Sequence, residues 1–181
     1  MKIGLVGASC CGKTTLFNAL CKKFSSMDSI NEIASNFTKE QREDFSFQKQ
    51  IMYTQILYEK ELSTFISDRT VIDNLAYCMW YDKFYNYEKK DIFNDVIKMF
   101  HAHMSSKPYD LVVFINEYFL LEDNGVRKMD ELQQEDIFKY LNSLIPLMCE
   151  HYGIKYINVY GSTEKRLAQI KYFFDHLETN H

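Results

Sequence analysis

The stretch KIGLVGASCCGKTTLFNALCKKF, residues 2–24, constrains the fold more than any other part of this 181-residue chain. An apolar run over 2–6 ends at Gly7, and beyond Thr14 the residues Leu16, Ala19, Leu20 and Phe24 recur near helical spacing. Between them, residues 7–14 satisfy G-x-x-x-x-G-K-[ST] in full, in the strand–loop–helix setting that the pattern requires. Glycines at 7 and 12 let the backbone turn so that successive N–H groups point inward. The positive end of the following helix adds to them, and the result is a cradle for phosphate oxygens. Gly7, Ala8, Ser9, Cys10, Cys11, Gly12, Lys13, Thr14 and Thr15 are therefore the expected nucleotide contacts. Lys13 should reach the β- and γ-phosphates of ATP, and the Thr14 hydroxyl should ligate Mg2+.

Strand-like and helical patterns alternate through the rest of the chain. DSINEIA (28–34) reads as a weak second strand, 40–62 as a helix, and STFIS (63–67) as the third strand. Helical patterns run from Val71 to about 85 and from 88 to His103. YDLVVFIN (109–116), introduced by Pro108, is a nearly continuous β-branched and aromatic run, the pattern of a strand buried on both faces of a parallel sheet. Residues 117–136 begin irregularly with an Asn124-Gly125 turn signal and become a charged helix that continues to a glycine stop at 153. A last strand (154–161) and a last helix, opened by Ser162-Thr163, complete the series. Alternation of this kind predicts one three-layer α/β domain over 1–181 with a parallel sheet.

FISDRT (65–70) carries the second constellation. An apolar strand ending at Asp68 places a carboxylate at the carboxyl edge of the sheet, where open α/β folds bind ligands. There Asp68 can hold Mg2+ or take a proton from an attacking hydroxyl, and Arg69 can grip an acceptor or a transferring phosphoryl group. LEDNGVRK (121–128) sets a glycine beside Arg127 and Lys128 just after the fourth strand. A flap over about 117–136 could swing Arg127 onto the phosphates and exclude water.

Residues 7–14, SDRT, VIDNLAYC and DNGVRKMDE together resemble the small P-loop kinases of nucleoside and nucleotide metabolism, in particular the AAA-like group that includes the ribosylnicotinamide kinase domain and phage-encoded kinases. The resemblance runs over nearly the whole chain. It implies a five-stranded parallel sheet in the order 2-3-1-4-5 with a helical lid, Asp68 as base or Mg2+ organiser, Arg69 as acceptor-side contact and Arg127 as lid arginine. It also places Gly161 and Ser162, with Arg166 nearby, against the donor purine. On the acceptor side it points to Glu32 for a sugar hydroxyl, and to Phe47 and Gln48 for the base, with Gln55 and Tyr58 on neighbouring turns. The arginine that often follows the Glu32 position is replaced here by ASN (34–36).

Other readings are constrained by composition. A net charge of −4 without a Lys/Arg block argues against tight, sequence-independent binding to a nucleic-acid backbone. A guanine-reading N-K-x-D is missing after the fourth strand, where FINEYF stands, which disfavours a GTPase switch. Only four arginines occur, Arg42, Arg69, Arg127 and Arg166, fewer than an acceptor phosphate usually needs, and this favours an uncharged, nucleoside-like acceptor. A nucleoside monophosphate kinase, a phage-type kinase of a hydroxymethyl-pyrimidine in DNA and a non-catalytic nucleotide switch remain alternatives; the wealth of Lys, Asn, Ile, Phe and Tyr suits a phage or low-GC source. The five cysteines form no C-x-x-C pair and read as free thiols of a reducing compartment. Cys10 and Cys11 fill permissive loop positions, although their oxidation would distort the loop. No apolar run reaches membrane length, so a cytoplasmic, membrane-free protein is expected, with a homodimer left open.

Overall fold

Strand β4 (Leu111–Ile115) is buried at every residue, as its unbroken apolar run requires. On one side it pairs with β1 (Lys2–Val6), on the other with β5 (Lys155–Val159), both in parallel. β1 pairs in turn with β3 (Phe65–Asp68), and β3 with the three-residue β2 (Asp28–Ile30). The computed structural model describes residues 1–38, 41, 44–84, 90–119 and 131–177. Within them the sheet has the order β2-β3-β1-β4-β5, all parallel, as the resemblance implies.

Helices cover both faces. On one face lie α1 (Lys13–Lys23) and α6 (Thr163–Leu177). The other carries α2 (Ser46–Glu61), α3 (Val71–Phe84), α4 (Lys90–Met104) and α5 (Glu131–Tyr152). Two cores result, because successive strand residues point to opposite faces. Leu111, Val113 and Ile115 join Leu16, Leu20 and Ile170 under α1 and α6. Val112 and Phe114 join Phe45, Met52, Phe100 and Ile145 under α2 to α5. No helix among the described residues is long and apolar enough to cross a membrane.

The second strand is shorter than its sequence pattern suggests: after Ile30 the chain turns into a 3-10 segment, Ile33–Asn36. β3 begins and ends later than STFIS would, so that Asp68 is its last residue. At the end of α5, Gly153 takes φ +64° and the Ile154 N–H reaches back to the Cys149 carbonyl at 2.8 Å, the six-to-one bond of a glycine-terminated helix.

Candidate active site

The phosphate-type loop links the buried end of β1 to α1. Gly12 (φ +79°) and Cys10 (φ +60°) are left-handed, a conformation cheap for glycine and uncommon for cysteine. Such reversals make neighbouring N–H groups converge into an anion-binding concavity. Lys13 is almost fully buried, and its ammonium donates to the carbonyls of Gly7 (2.9 Å) and Ala8 (3.2 Å), with the Cys11 sulfur 3.9 Å away. A positive charge therefore sits within the loop itself. Ala8 and Cys11 are buried, Ser9 is half-buried, and Cys10, Thr14 and Thr15 are exposed.

The alternation of β3 decides what faces this loop. Phe65 and Ile66 go to opposite cores. Ser67 then turns towards α2 and Asp68 towards α1. The Thr14 hydroxyl accordingly donates to Asp68 Oδ2 at 2.7 Å, and Asp68 Oδ1 is buried without a hydrogen-bond partner among the described residues. A hydroxyl and a carboxylate with an unused buried oxygen suit Mg2+, which takes hard oxygen ligands and is usually held by one or two protein groups plus water and phosphate.

Arg69 leaves the strand with φ +134°. Its Nε donates to Glu32 Oε1 at 2.7 Å, its Nη1 lies 3.4 Å from Asp73 Oδ1, and its guanidinium carbon is 5.2 Å from the centre of the Tyr77 ring. Burial alone would lower the guanidinium pKa; Glu32, Tyr77 and Asp73 together raise it well above its ordinary value. Glu32 stands at the end of the loop after β2, so the two sequence-expected residues meet across the sheet edge.

Several participants escaped the sequence reading. Asp73 accepts from the Gly7 and Thr70 N–H groups (3.3 and 3.0 Å) and from the Thr70 hydroxyl (3.1 Å). Burial pushes the Asp73 carboxyl up, against the pull of Arg69 and Lys13. The signal was available: Thr70-Val-Ile-Asp73 is a capping box, Thr70 as N-cap and Asp73 three residues on. Its bond to Gly7 ties that helix start to the loop. Tyr77 adds a hydroxyl contact to Ser9 at 3.0 Å, and Gln134 on α5 donates to the carbonyls of Ser9 (2.8 Å) and Phe119 (2.7 Å).

On the opposite flank, the buried Arg166 donates to the Cys11 carbonyl (2.8 Å) and to Glu117 (2.7 Å). Glu117 also accepts the N–H of Gly161, which has φ +86°. Gly161 is thereby fastened beside the loop, and the Ser162 hydroxyl accepts from the Lys165 N–H at 3.4 Å. On α2, Phe47 is buried edge-on against Phe37 at 4.3 Å, while the amide of the buried Gln48 makes no hydrogen bond to a described residue. Gln55 faces the β3–α3 turn, and Tyr58 is exposed. Arg127 and most of the expected lid lie outside the described residues; Glu117–Phe119 and the start of α5 flank them.

The sequence matches the family described as "AAA domain" over residues 2–166. The chain belongs to that family. Among solved structures, this AAA-domain chain resembles deoxyadenosine kinase from M. mycoides, solved with dCMP and a flexible dCDP. The TM-score is 0.66 at 16% identity, over 98% of this chain and all of that one. It also resembles thymidylate kinase from Candida albicans (TM-score 0.61, 14% identity, 99% of this chain and 93% of that one). NadR protein in complex with NAD and AMP-PNP matches with TM-score 0.62 and 15% identity over 91% of this chain and 46% of that one. No protein of curated function matches by sequence. The fold shared with these proteins is that of P-loop kinases.

Proposed function

We propose that this protein is an ATP- and Mg2+-dependent phosphotransferase that moves the γ-phosphate of ATP to a hydroxyl of a nucleoside-like acceptor. One observation carries the reading: two acidic groups converge on the carboxyl edge of the sheet, Asp68 bonded to Thr14 of the loop and Glu32 bonded to Arg69 beside it. A switch needs the first; the second suits an acceptor. In this reading Lys13 and the loop amides bind the β/γ-phosphates, and Thr14 and Asp68 would hold Mg2+, which would supply positive charge to offset that of the phosphates. Glu32, held in place by Arg69, receives the proton of the acceptor hydroxyl, and Arg127 stabilises the transferring group. The loop at Gly161 and Ser162 lies against the donor purine. Phe47 and Gln48 contact the acceptor base.

The charge balance around Arg69 supports an uncharged acceptor. Its guanidinium lies between Glu32 and Asp73, so a phosphate approaching it would meet two carboxylates as well as the cation. Kinases acting on nucleosides and nucleotides among the structural neighbours support the reaction class.

The test is transfer from labelled ATP to nucleosides, nucleoside monophosphates, nicotinamide riboside and DNA containing hydroxymethyl-pyrimidine, parent beside Asp68→Asn. A nucleoside should be the best acceptor. Asp68→Asn should lower turnover by roughly two to four powers of ten, as expected for an acid–base or metal-positioning group. It should also raise the Mg2+ concentration needed for half-maximal rate. Tight ATP binding with transfer to no acceptor would establish a switch instead.

A further inference from the structure

Behind the Asp68–Arg69 turn, on the face away from the loop, lies a buried polar cluster. Glu59, with a side chain wholly removed from solvent, accepts three hydrogen bonds: from the Tyr109 hydroxyl (2.7 Å), from Gln55 Nε2 (2.7 Å) and from His103 Nε2 (2.6 Å). His103 Nδ1, also buried, has no hydrogen-bond partner among the described residues. The cluster's other ends are backbone atoms of one short segment. The Tyr109 hydroxyl accepts the Val71 N–H at 3.0 Å. Gln55 donates to Ser67 Oγ (2.9 Å) and approaches the Arg69 carbonyl (3.3 Å), to which the Ser67 hydroxyl donates at 2.6 Å.

That segment needs holding. Arg69 has a φ that non-glycine residues rarely adopt, and such a residue persists only where its surroundings over-determine it. Its carbonyl and the Val71 N–H are both fixed by this cluster. We propose that Gln55, Glu59 and Tyr109 form a positioning network that holds the Arg69 backbone in its strained conformation, and so sets the guanidinium between Glu32 and Asp73 for phosphoryl transfer. The catalytic consequence rests on the kinase reading above; the geometric one does not. Gln55 thus acts through Arg69, with its amide spent on protein groups rather than on the acceptor.

Tyr109→Phe removes one oxygen, which orphans the Val71 N–H and takes one donor from Glu59; Gln55→Met deletes the amide at similar volume. Two readouts separate the outcomes. In spectra of protein with 15N-labelled arginine, the Nε–H of Arg69, assigned by Arg69→Lys, should exchange slowly with water in the parent and about tenfold faster in either variant. With the best acceptor, kcat should fall about ten- to a hundredfold, the scale of a roughly 1 Å misplacement, while ATP affinity stays within about twofold. A purely structural role would lower thermal stability and leave both the Arg69 signal and kcat of the folded protein at parent values, which overturns the proposal. If Tyr109→Phe does not fold, Gln55→Met decides. If the parent transfers phosphate to no acceptor, the kinase reading fails and the Arg69 exchange rate still decides the geometry.

Discussion

Gly4, in the middle of β1, probes how tightly this turn is packed. A Cβ built there would lie 2.4 Å from Thr70 Cγ2 and 3.2 Å from two ring atoms of Tyr109. Carbon atoms in contact normally stand about 3.5–4.0 Å apart, so the Thr70 overlap exceeds about 1 Å. Thr70 cannot yield cheaply, because swinging its methyl aside moves the hydroxyl that donates to Asp73 at 3.1 Å and accepts from the Ile72 N–H at 3.1 Å. Gly4→Ala should therefore incur about 1–3 kcal/mol of overpacking and about 1 kcal/mol for the damaged helix cap. A total of roughly 2–4 kcal/mol corresponds to a melting point lower by roughly 5–15 °C for a chain of this size. Thermal unfolding followed by both far-UV circular dichroism and tryptophan fluorescence measures it. The compensating change is Thr70→Ser, which deletes Cγ2 and keeps the capping oxygen. The double variant should recover most of the loss, so the two substitutions should be strongly non-additive. A Gly4→Ala protein melting within about 2 °C of the parent, or a double variant no better than Gly4→Ala, would refute the argument.

Three further outcomes concern the loop lysine, the lid arginine and the buried thiols. Lys13→Ala should abolish transfer and weaken ATP binding while the circular dichroism spectrum stays that of the parent, since among the described residues its ammonium bonds only within the loop. On the proposed reading of Arg127 as a lid arginine that meets the phosphates only on closure, Arg127→Ala should lower kcat more than it raises the KM for ATP; equal kcat in both proteins would make it a bystander. Burial pushes the thiols of Cys78, where Asp82 adds to the effect, and Cys149 up to about 12. At pH 8 only on the order of one in ten thousand of either is thiolate. A thiol reagent should consequently label the exposed Cys10 in native protein and reach Cys78 and Cys149 only after denaturant is added, as peptide mass spectrometry would show.

Whatever depends on neighbours along the chain was legible in the sequence. LVVFI announces a strand buried on both faces, and GASCCGKTT announces its cradle, because each pattern is complete within a few residues. DSINEIA misled because an edge strand pairs on one side only and tolerates exposed Asp28 and Ser29; three residues suffice there. Gln55 illustrates a harder limit. Helical spacing puts its amide on a face, but whether that face meets a ligand or a carbonyl depends on a turn 14 residues away. Asp73 shows both sides at once: its capping box is local and legible, whereas its bond to Gly7 spans 66 residues and is not.

The physical root of the site is the period of two along β3. Ser67 turns to the α2 face and meets Gln55, Asp68 turns to the α1 face and meets Thr14, and Arg69, already past the strand, reaches Glu32 only because its φ is positive. A slip of one residue in the pairing of β3 with β1 would exchange these assignments, presenting a serine to Thr14 and a buried carboxylate to Glu59. Two carboxylates brought together in the core would oppose that register strongly. The polar residues that serve the proposed chemistry therefore also specify the strand register that presents them, and a substitution such as Ser67→Asp should destabilise the protein even though it leaves every donor and acceptor contact of the loop untouched.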